Sequence, residues 1–260
     1  MITSTNNPQM KNLAQLLKKS KERRNQNCFV VEGTKMCMEA PRLWLRQIYV
    51  SKSYLQKEEH RQTLMDYPYE VVEDRVFAAV SDTMTPQGIL AVVEIPHYEL
   101  EELLHGNQTQ LLILESIQDP GNLGTMIRTG EGAGMTGIIM NKTTADLFNP
   151  KTIRSTMGSI YRVPYLIAEN LPETIRLIKK QGVSLYAAHL KGTCAYDEKD
   201  YTKACGFLIG NEGNGLTDEI ANLADAYIKI PMEGQVESLN AAISASLLLY
   251  ECHRQRRRRT

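Results

Sequence analysis

Residues 111–134 read LLILESIQDPGNLGTMIRTGEGAG. The apolar run at 111–114 predicts a buried strand, and Asp119-Pro120-Gly121-Asn122 is a turn-forming, helix-starting cluster. A helix is expected over 123–134, with Asn122 as its N-cap candidate. Arg128 lies six residues beyond Asn122, so the two face different sides of that helix, and an arginine held against the protein needs an anionic partner. Gly130, Gly132 and Gly134 fall at the end of the helix rather than its start, so the stretch fails the context of a dinucleotide-binding fingerprint.

The same strand-then-helix order continues downstream. Strands are expected at 137–140, 162–167, 184–188, 206–209 and 226–230, with helices at 150–157, 172–181 and 238–254. Strands alternating with helices imply a mostly parallel sheet covered on both faces. Upstream, 7–19 has helical spacing of Met10, Leu13, Leu16 and Leu17. Short strands at 28–31, 47–50, 69–72 and 89–93, with helices at 35–40 and 75–80, describe a smaller α/β/α domain. The expected organisation is a first domain at 1–96, a polar linker at 97–110 carrying a short helix at 100–104, and a second domain at 111–260.

Two more segments depart from ordinary packing patterns. CGFLIGNEGNGL, residues 205–216, places Gly210-Asn211-Glu212-Gly213-Asn214-Gly215 directly after a strand. Such a loop allows close backbone approach to a ligand, and it lacks the Gly-Lys-Ser/Thr ending of a phosphate loop. AYIKIPMEGQVESLNAAISASLLLYE, residues 226–251, ends a strand at Ile230-Pro231 and opens a helix at Ser238-Leu239-Asn240. The run Ala241, Ala242, Ser244, Ala245, Ser246 suits a helix packed closely against other backbone. All three segments follow strands, where open α/β sheets bind ligands.

In order and spacing these segments resemble the three signature motifs of the SpoU (TrmH-type) family of the SPOUT RNA methyltransferases. The first is similar to Pro120-Gly121-Asn122-Leu123-Gly124 through Arg128, the second to 209–216, the third to Ile228-Lys229-Ile230-Pro231 through Ser238-Leu239-Asn240-Ala241-Ala242. Ile153-Arg154-Ser155-Thr156-Met157-Gly158-Ser159 resembles a further recurring segment of that family. The likeness covers roughly 110–253, and the first 96 residues resemble the RNA-binding substrate domain that many members carry.

The resemblance implies an α/β fold whose C-terminal parallel-sheet domain is tied in a trefoil knot, a topology that composition would never suggest. It implies a homodimer and S-adenosylmethionine as cofactor. The activity it implies is methyl transfer to a ribose 2′-hydroxyl, with ribosomal RNA preferred and transfer RNA the alternative. A non-catalytic RNA-binding or ribosome-assembly factor with the same fold is the competing reading. By position, Gly210, Ile230 and Leu239 are the cofactor-binding residues, followed by the backbone around Leu190 and Gly192. Arg128 is the catalytic residue at the ribose and its phosphate, and Asn122 orients it or the RNA. Glu212 and Asn240 brace the loops, with Glu212 a partner for Arg128.

Composition agrees with an enzyme more readily than with a dedicated nucleic-acid binder. The 260 residues carry 30 Lys/Arg and 30 Asp/Glu, a formal charge of zero, where dedicated binders are usually basic. The positive charge is concentrated at the ends. Lys18, Lys19, Lys21, Arg23 and Arg24 form one candidate phosphate-contacting cluster, and Arg254, Arg256, Arg257, Arg258 and Arg259 form the other. Five widely spread cysteines without a C-x-x-C pair, and five histidines without ligand spacing, predict free thiols and no metal. The polar N-terminus and the lack of a long apolar run predict a cytoplasmic protein without membrane spans.

Overall fold

The structure is a computed structural model and describes residues 1–257; Arg258 and Arg259 of the arginine tail lie outside the described residues. It divides into two compact units, Met1–His97 with Asp146–Tyr161, and Tyr98–Ala145 with Arg162 onward.

The first unit runs α1 (Pro8–Lys18), α2 (Ser20–Gln26), β1 (Cys28–Glu32), α3 (Thr34–Glu39), β2 (Leu45–Ser51), α4 (Glu58–Thr63), β3 (Tyr69–Val72), α5 (Asp74–Val80) and β4 (Ile89–Glu94). Its sheet has the order β1-β4-β2-β3, with β4 antiparallel to both neighbours and β2 parallel to β3. α1 begins where Pro8 follows Asn7, whose side chain accepts from the Gln9 amide. Its buried stripe of Met10, Leu13, Leu16 and Leu17 packs into one core with Val30, Tyr49, Val72, Phe77 and Leu90.

Residues 146–161 pack into this unit although they are distant in sequence. Phe148 lies 4.8 Å from Phe29 between ring centroids, and the Tyr161 hydroxyl donates to the Met36 carbonyl at 2.8 Å. Arg23, only 3% exposed, donates to Asp146 and to the Leu16 and Leu17 carbonyls. Arg23 is therefore a core residue rather than a member of the phosphate-contacting cluster. Lys18, Lys19, Lys21 and Arg24 remain exposed.

The second unit contributes β5 (Gln110–Leu114), α6 (Pro120–Gly132), β6 (Gly137–Asn141), then, beyond α7 (Pro150–Thr156) of the first unit, β7 (Tyr165–Ala168), α8 (Leu171–Lys180), β8 (Ser184–Ala188), β9 (Cys194–Ala195), β10 (Cys205–Ile209), α9 (Asp218–Ala221), β11 (Ala226–Lys229) and α10 (Ala241–Arg257). All seven strands are parallel, in the order β7-β6-β5-β10-β8-β11-β9. The mixed α/β architecture with a parallel sheet agrees with the expectation from strand–helix alternation. β5 and β10 are buried along their whole length, as strands covered on both faces must be.

The segment leading into β5 belongs to this unit. Leu103 is fully buried in its core with Leu111, Ile139 and Leu185. α10 packs against α6, and its Ala242 and Ala245 are buried; the buried Gln110 amide donates to the Leu249 carbonyl at 3.1 Å. The arginines of the helix end are committed to structure: Arg254 pairs with Glu251 at 2.6 Å, and Arg256 donates to the carbonyls of Gln108, Thr109, Tyr201 and Lys203. Neither is a free phosphate contact. The cysteines are free thiols; Cys205 and Cys252 face each other at 3.7 Å inside the core.

Arg23→Ala leaves the Asp146 carboxylate and two carbonyls without their donor. It is expected to cost about 3 kcal/mol of unfolding free energy, near the lower figure for breaking a buried pair from one side. Urea unfolding followed by fluorescence checks this, and a loss below about 1 kcal/mol would return Arg23 to the surface cluster.

Candidate active site

Four segments meet at the carboxyl edge of the second sheet. β8 ends at Ala188, β10 at Ile209 and β11 at Lys229, and together with 237–244 they wall a cavity of about 590 Å³. Gly210, Ile230, Leu239 and Leu190, four of the five expected cofactor contacts, lie on its wall. Gly192 does not. A Cβ there would stand 2.7 Å from the Ile228 carbonyl carbon and 2.8 Å from the Lys229 nitrogen, so Gly192 lets the 189–192 turn lie against β11.

Gly210 shows why the loop is rich in glycine. A Cβ at this position would lie 2.0 Å from the Gly215 carbonyl carbon and 2.1 Å from the Leu216 nitrogen. No side chain fits. Asn211 closes the loop: its amide and the Gly215 amide exchange bonds with each other's carbonyls at 3.0 and 2.9 Å. Its side-chain oxygen accepts from the Gly213 and Asn214 amides, while its Nδ2 donates to the Ser116 carbonyl. Glu115, buried at the end of β5, accepts from the Thr217 amide and hydroxyl, both at 2.8 Å. These two residues hold the second motif against the first. Neither stood out in the sequence, because an Asn in a glycine loop and a Glu after a strand look like ordinary turn chemistry.

Asn122, Glu212 and Asn240 come together in one chain of hydrogen bonds. Asn122 Nδ2 donates to Glu212 Oε1 at 3.0 Å, and Asn240 Nδ2 donates to Asn122 Oδ1 at 3.0 Å. Glu212 also accepts from the Gln118 amide at 2.9 Å and the Asp119 amide at 3.1 Å. The N-cap of α6 is Asp119, whose side chain accepts from the Asn122 amide at 2.9 Å. Asn122 is thus released from the capping role expected of it. Asn240 opens α10 instead, accepting from the Ala242 and Ile243 amides.

Arg128 stands apart. It is exposed on α6, is not part of the cavity wall, and among the described residues makes no side-chain hydrogen bond or ion pair. The expected Glu212–Arg128 contact is absent: Glu212 accepts from Asn122 and two backbone amides at the start of α6, while Arg128 sits exposed six residues beyond Asn122, on a different side of the helix. No group of three or more metal-ligating side chains occurs among the described residues, and no helix there is long and apolar enough to cross a membrane.

A parallel sheet with an apolar, backbone-rich cavity at its carboxyl edge is the build of an enzyme that takes a nucleoside-like ligand. Comparison with known proteins gives the class. Residues 109–250 match the SpoU rRNA Methylase family and residues 7–91 the MRM3-like substrate binding domain. The 23S rRNA (guanosine(2553)-2′-O)-methyltransferase RlmP of Bacillus subtilis is 36% identical over 254 residues, covering 96% of this chain and 97% of the relative. The SpoU methyltransferase AviRb of Streptomyces viridochromogenes in complex with AdoMet superposes with a TM-score of 0.88 at 26% identity, covering 96% of this chain and 98% of that one. An AdoMet-bound rRNA methyltransferase from Sinorhizobium meliloti gives a TM-score of 0.86 at 33% identity, with 97% of each chain covered. The protein belongs to the SpoU rRNA methylase family and is a methyltransferase, as the three motifs had suggested.

Burial alone would raise the Glu212 carboxyl, but hydrogen bonds from Asn122, Gln118 and Asp119 outweigh it and hold the group below the ordinary carboxylate value. A carboxyl with a depressed folded-state value stabilises the fold above its unfolded value of about 4.3, and that stability is lost as pH falls through the folded value. Glu212→Gln should therefore lower the melting temperature at pH 7, and the gap to wild type should close progressively below about pH 4. Thermal scans from pH 7 to 3 check this; a gap independent of pH would show that the charge is immaterial.

Proposed function

We propose that the protein transfers a methyl group from S-adenosylmethionine to a ribose 2′-hydroxyl of ribosomal RNA. The observation that carries this reading is that the second and third motifs wall one cavity while Asn122 of the first is hydrogen-bonded to Glu212 and Asn240 of the other two, on a helix that also carries Arg128, exposed and without a side-chain partner among the described residues. The relatives of known name point the same way, RlmP being a ribosomal RNA 2′-O-methyltransferase and AviRb having been seen with AdoMet.

The residues present fit the cofactor. A volume of about 590 Å³ lies within the range of small-molecule sites. Gly210, Ile230 and Leu239 present backbone and apolar surface suited to a neutral heterocycle, and the bare Gly210 leaves the loop no side chain to fill the space. When bound, the cofactor supplies an electrophilic methyl carbon on a sulfonium. The chain's own part is positioning, which can account for much of the acceleration of such a transfer. Glu212 and Asn240 set Asn122, and Asn122 with the start of α6 sets the helix that carries Arg128. Arg128 is not a proton acceptor at neutral pH. It clamps the phosphate beside the target ribose and favours the developing alkoxide electrostatically.

The first unit is the RNA-capturing part, through exposed Lys18, Lys19, Lys21 and Arg24. The domain division at 1–96, 97–110 and 111–260 carries over into this reading with two adjustments: 146–161 go with the RNA-capturing unit, and 98–110 go with the second unit instead of forming a separate linker. The second unit is threaded as a trefoil knot around the cavity. The active form is a cytoplasmic homodimer whose contact uses the exposed side of α10, where Ile243 is 50% and Tyr250 48% exposed.

Deleting the gene should remove one 2′-O-methyl mark from ribosomal RNA, read by nucleotide-resolution mapping, and re-expression should restore it. An unchanged ribosomal RNA together with a lost transfer RNA mark would move the substrate. The purified protein should run near twice 29.4 kDa by light scattering; a monomer at active concentrations would remove the dimer.

Arg128→Ala should slow single-turnover methylation by about two to four orders of magnitude, each tenfold being about 1.4 kcal/mol. Cofactor affinity should stay within a few-fold, since Arg128 is not on the cavity wall. Lysine should rescue poorly, because a point charge lacks the planar fork of a guanidinium. Wild-type rate at saturating RNA and cofactor would demote Arg128 to a surface residue.

A further inference from the structure

The cavity wall carries four side chains that are charged or can become so: His189, Glu212, Lys229 and Glu237. Two are already engaged. Glu212 is filled by Asn122 and two backbone amides. His189 accepts from the Lys191 amide through Nδ1 at 3.1 Å, and its ring stacks on Tyr227 at 5.0 Å. Lys229 and Glu237 remain. Both are exposed, and among the described residues neither side chain makes a hydrogen bond or an ion pair. Lys229 helps lower the Glu198 carboxyl without forming a bridge to it.

The rest of the wall is apolar or neutral. Leu190, Ile230, Met232 and Leu239 suit the adenosine portion of a nucleoside cofactor, and they offer nothing to a charged group. S-Adenosylmethionine is not neutral at its other end. Its amino-acid portion carries one ammonium and one carboxylate, and the two unengaged wall charges are one carboxylate and one ammonium.

We propose that Lys229 and Glu237 are the residues that bind the zwitterionic amino-acid end of the cofactor, Lys229 receiving the carboxylate and Glu237 the ammonium. The inference rests on the reading of this cavity as the S-adenosylmethionine site. It assigns a charged subsite to the end of β11 and to the approach to α10. Because both side chains are exposed, each contact is modest, in the range of solvent-screened pairs. Their contribution is to discrimination: an adenosine compound without the amino-acid end gains nothing from them.

Calorimetric titration of the full-length protein with S-adenosylmethionine, S-adenosylhomocysteine and 5′-methylthioadenosine tests this without any turnover. The last two are both neutral thioethers and differ only in the amino-acid end. Wild type should bind S-adenosylhomocysteine more tightly than methylthioadenosine. Lys229→Met and Glu237→Gln should each weaken S-adenosylhomocysteine and S-adenosylmethionine about three- to tenfold, on the scale of screened charge pairs, and leave methylthioadenosine unchanged. Ligand-free melting temperatures equal to wild type confirm that the variants are folded. Wild-type affinity for S-adenosylhomocysteine in both variants overturns the proposal, as does a loss shared equally by methylthioadenosine. A wild-type protein that binds none of the three overturns the cofactor reading itself, and this proposal with it.

Discussion

The Glu212 carboxylate is held from three sides, by the Asn122 amide group and by the backbone N–H groups of Gln118 and Asp119. That one anchor joins the loop after β10 to the start of α6, and through Asn122 and Asn240 it reaches the start of α10. Three helix or strand ends separated by up to 118 residues are brought into one hydrogen-bonded patch. Gly210 makes the arrangement possible, since the loop folds back so closely on Gly215 that a single methyl group would be rejected. These two constraints shape the loop that walls the cavity, while Arg128 stays exposed on α6, outside the hydrogen-bonded patch.

Charge in this protein divides into groups that hold structure and groups left for solvent or substrate. Arg23, Arg254 and Arg256 satisfy carboxylates and carbonyls inside the units. Lys18, Lys19, Lys21, Arg24 and Arg128 do not. A net charge of zero is therefore compatible with binding a polyanion. The electrostatic footprint depends on local clusters of unengaged side chains rather than on the total.

The elements that the sequence revealed best are those whose signal is local. Strand runs such as 69–72 and 184–188 have the observed bounds, because apolar patterning and neighbouring breakers define both ends. The three motif segments stood out for a related reason, since glycine and small-residue runs after strands reflect steric needs that show in composition; that Gly210, Ile230, Leu239 and Leu190 share one cavity wall was implied by the family resemblance rather than by composition. What depends on long-range pairing was not legible. Asn122 has the right chemistry for an N-cap, and nothing nearby in sequence shows that Asp119 takes that role while Glu212, 90 residues away, claims the side chain. Arg23 sits within a run of exposed basic residues, and only its partner Asp146 reveals it as buried. The insertion of β10 between β5 and β8 has no sequence signature at all.

The excursion of residues 146–161 into the first unit bears on how this protein can be taken apart. The backbone passes between the two units three times, after His97, after Ala145 and after Tyr161. A single cut near residue 97 leaves both pieces incomplete. The N-terminal fragment would lack the carboxylate that Arg23 requires, and the remainder would carry Phe148, Ile153 and Tyr161 stripped of the surfaces that bury them. The two halves are thus interleaved as folding units in this chain, and a division at one point of the backbone does not separate them.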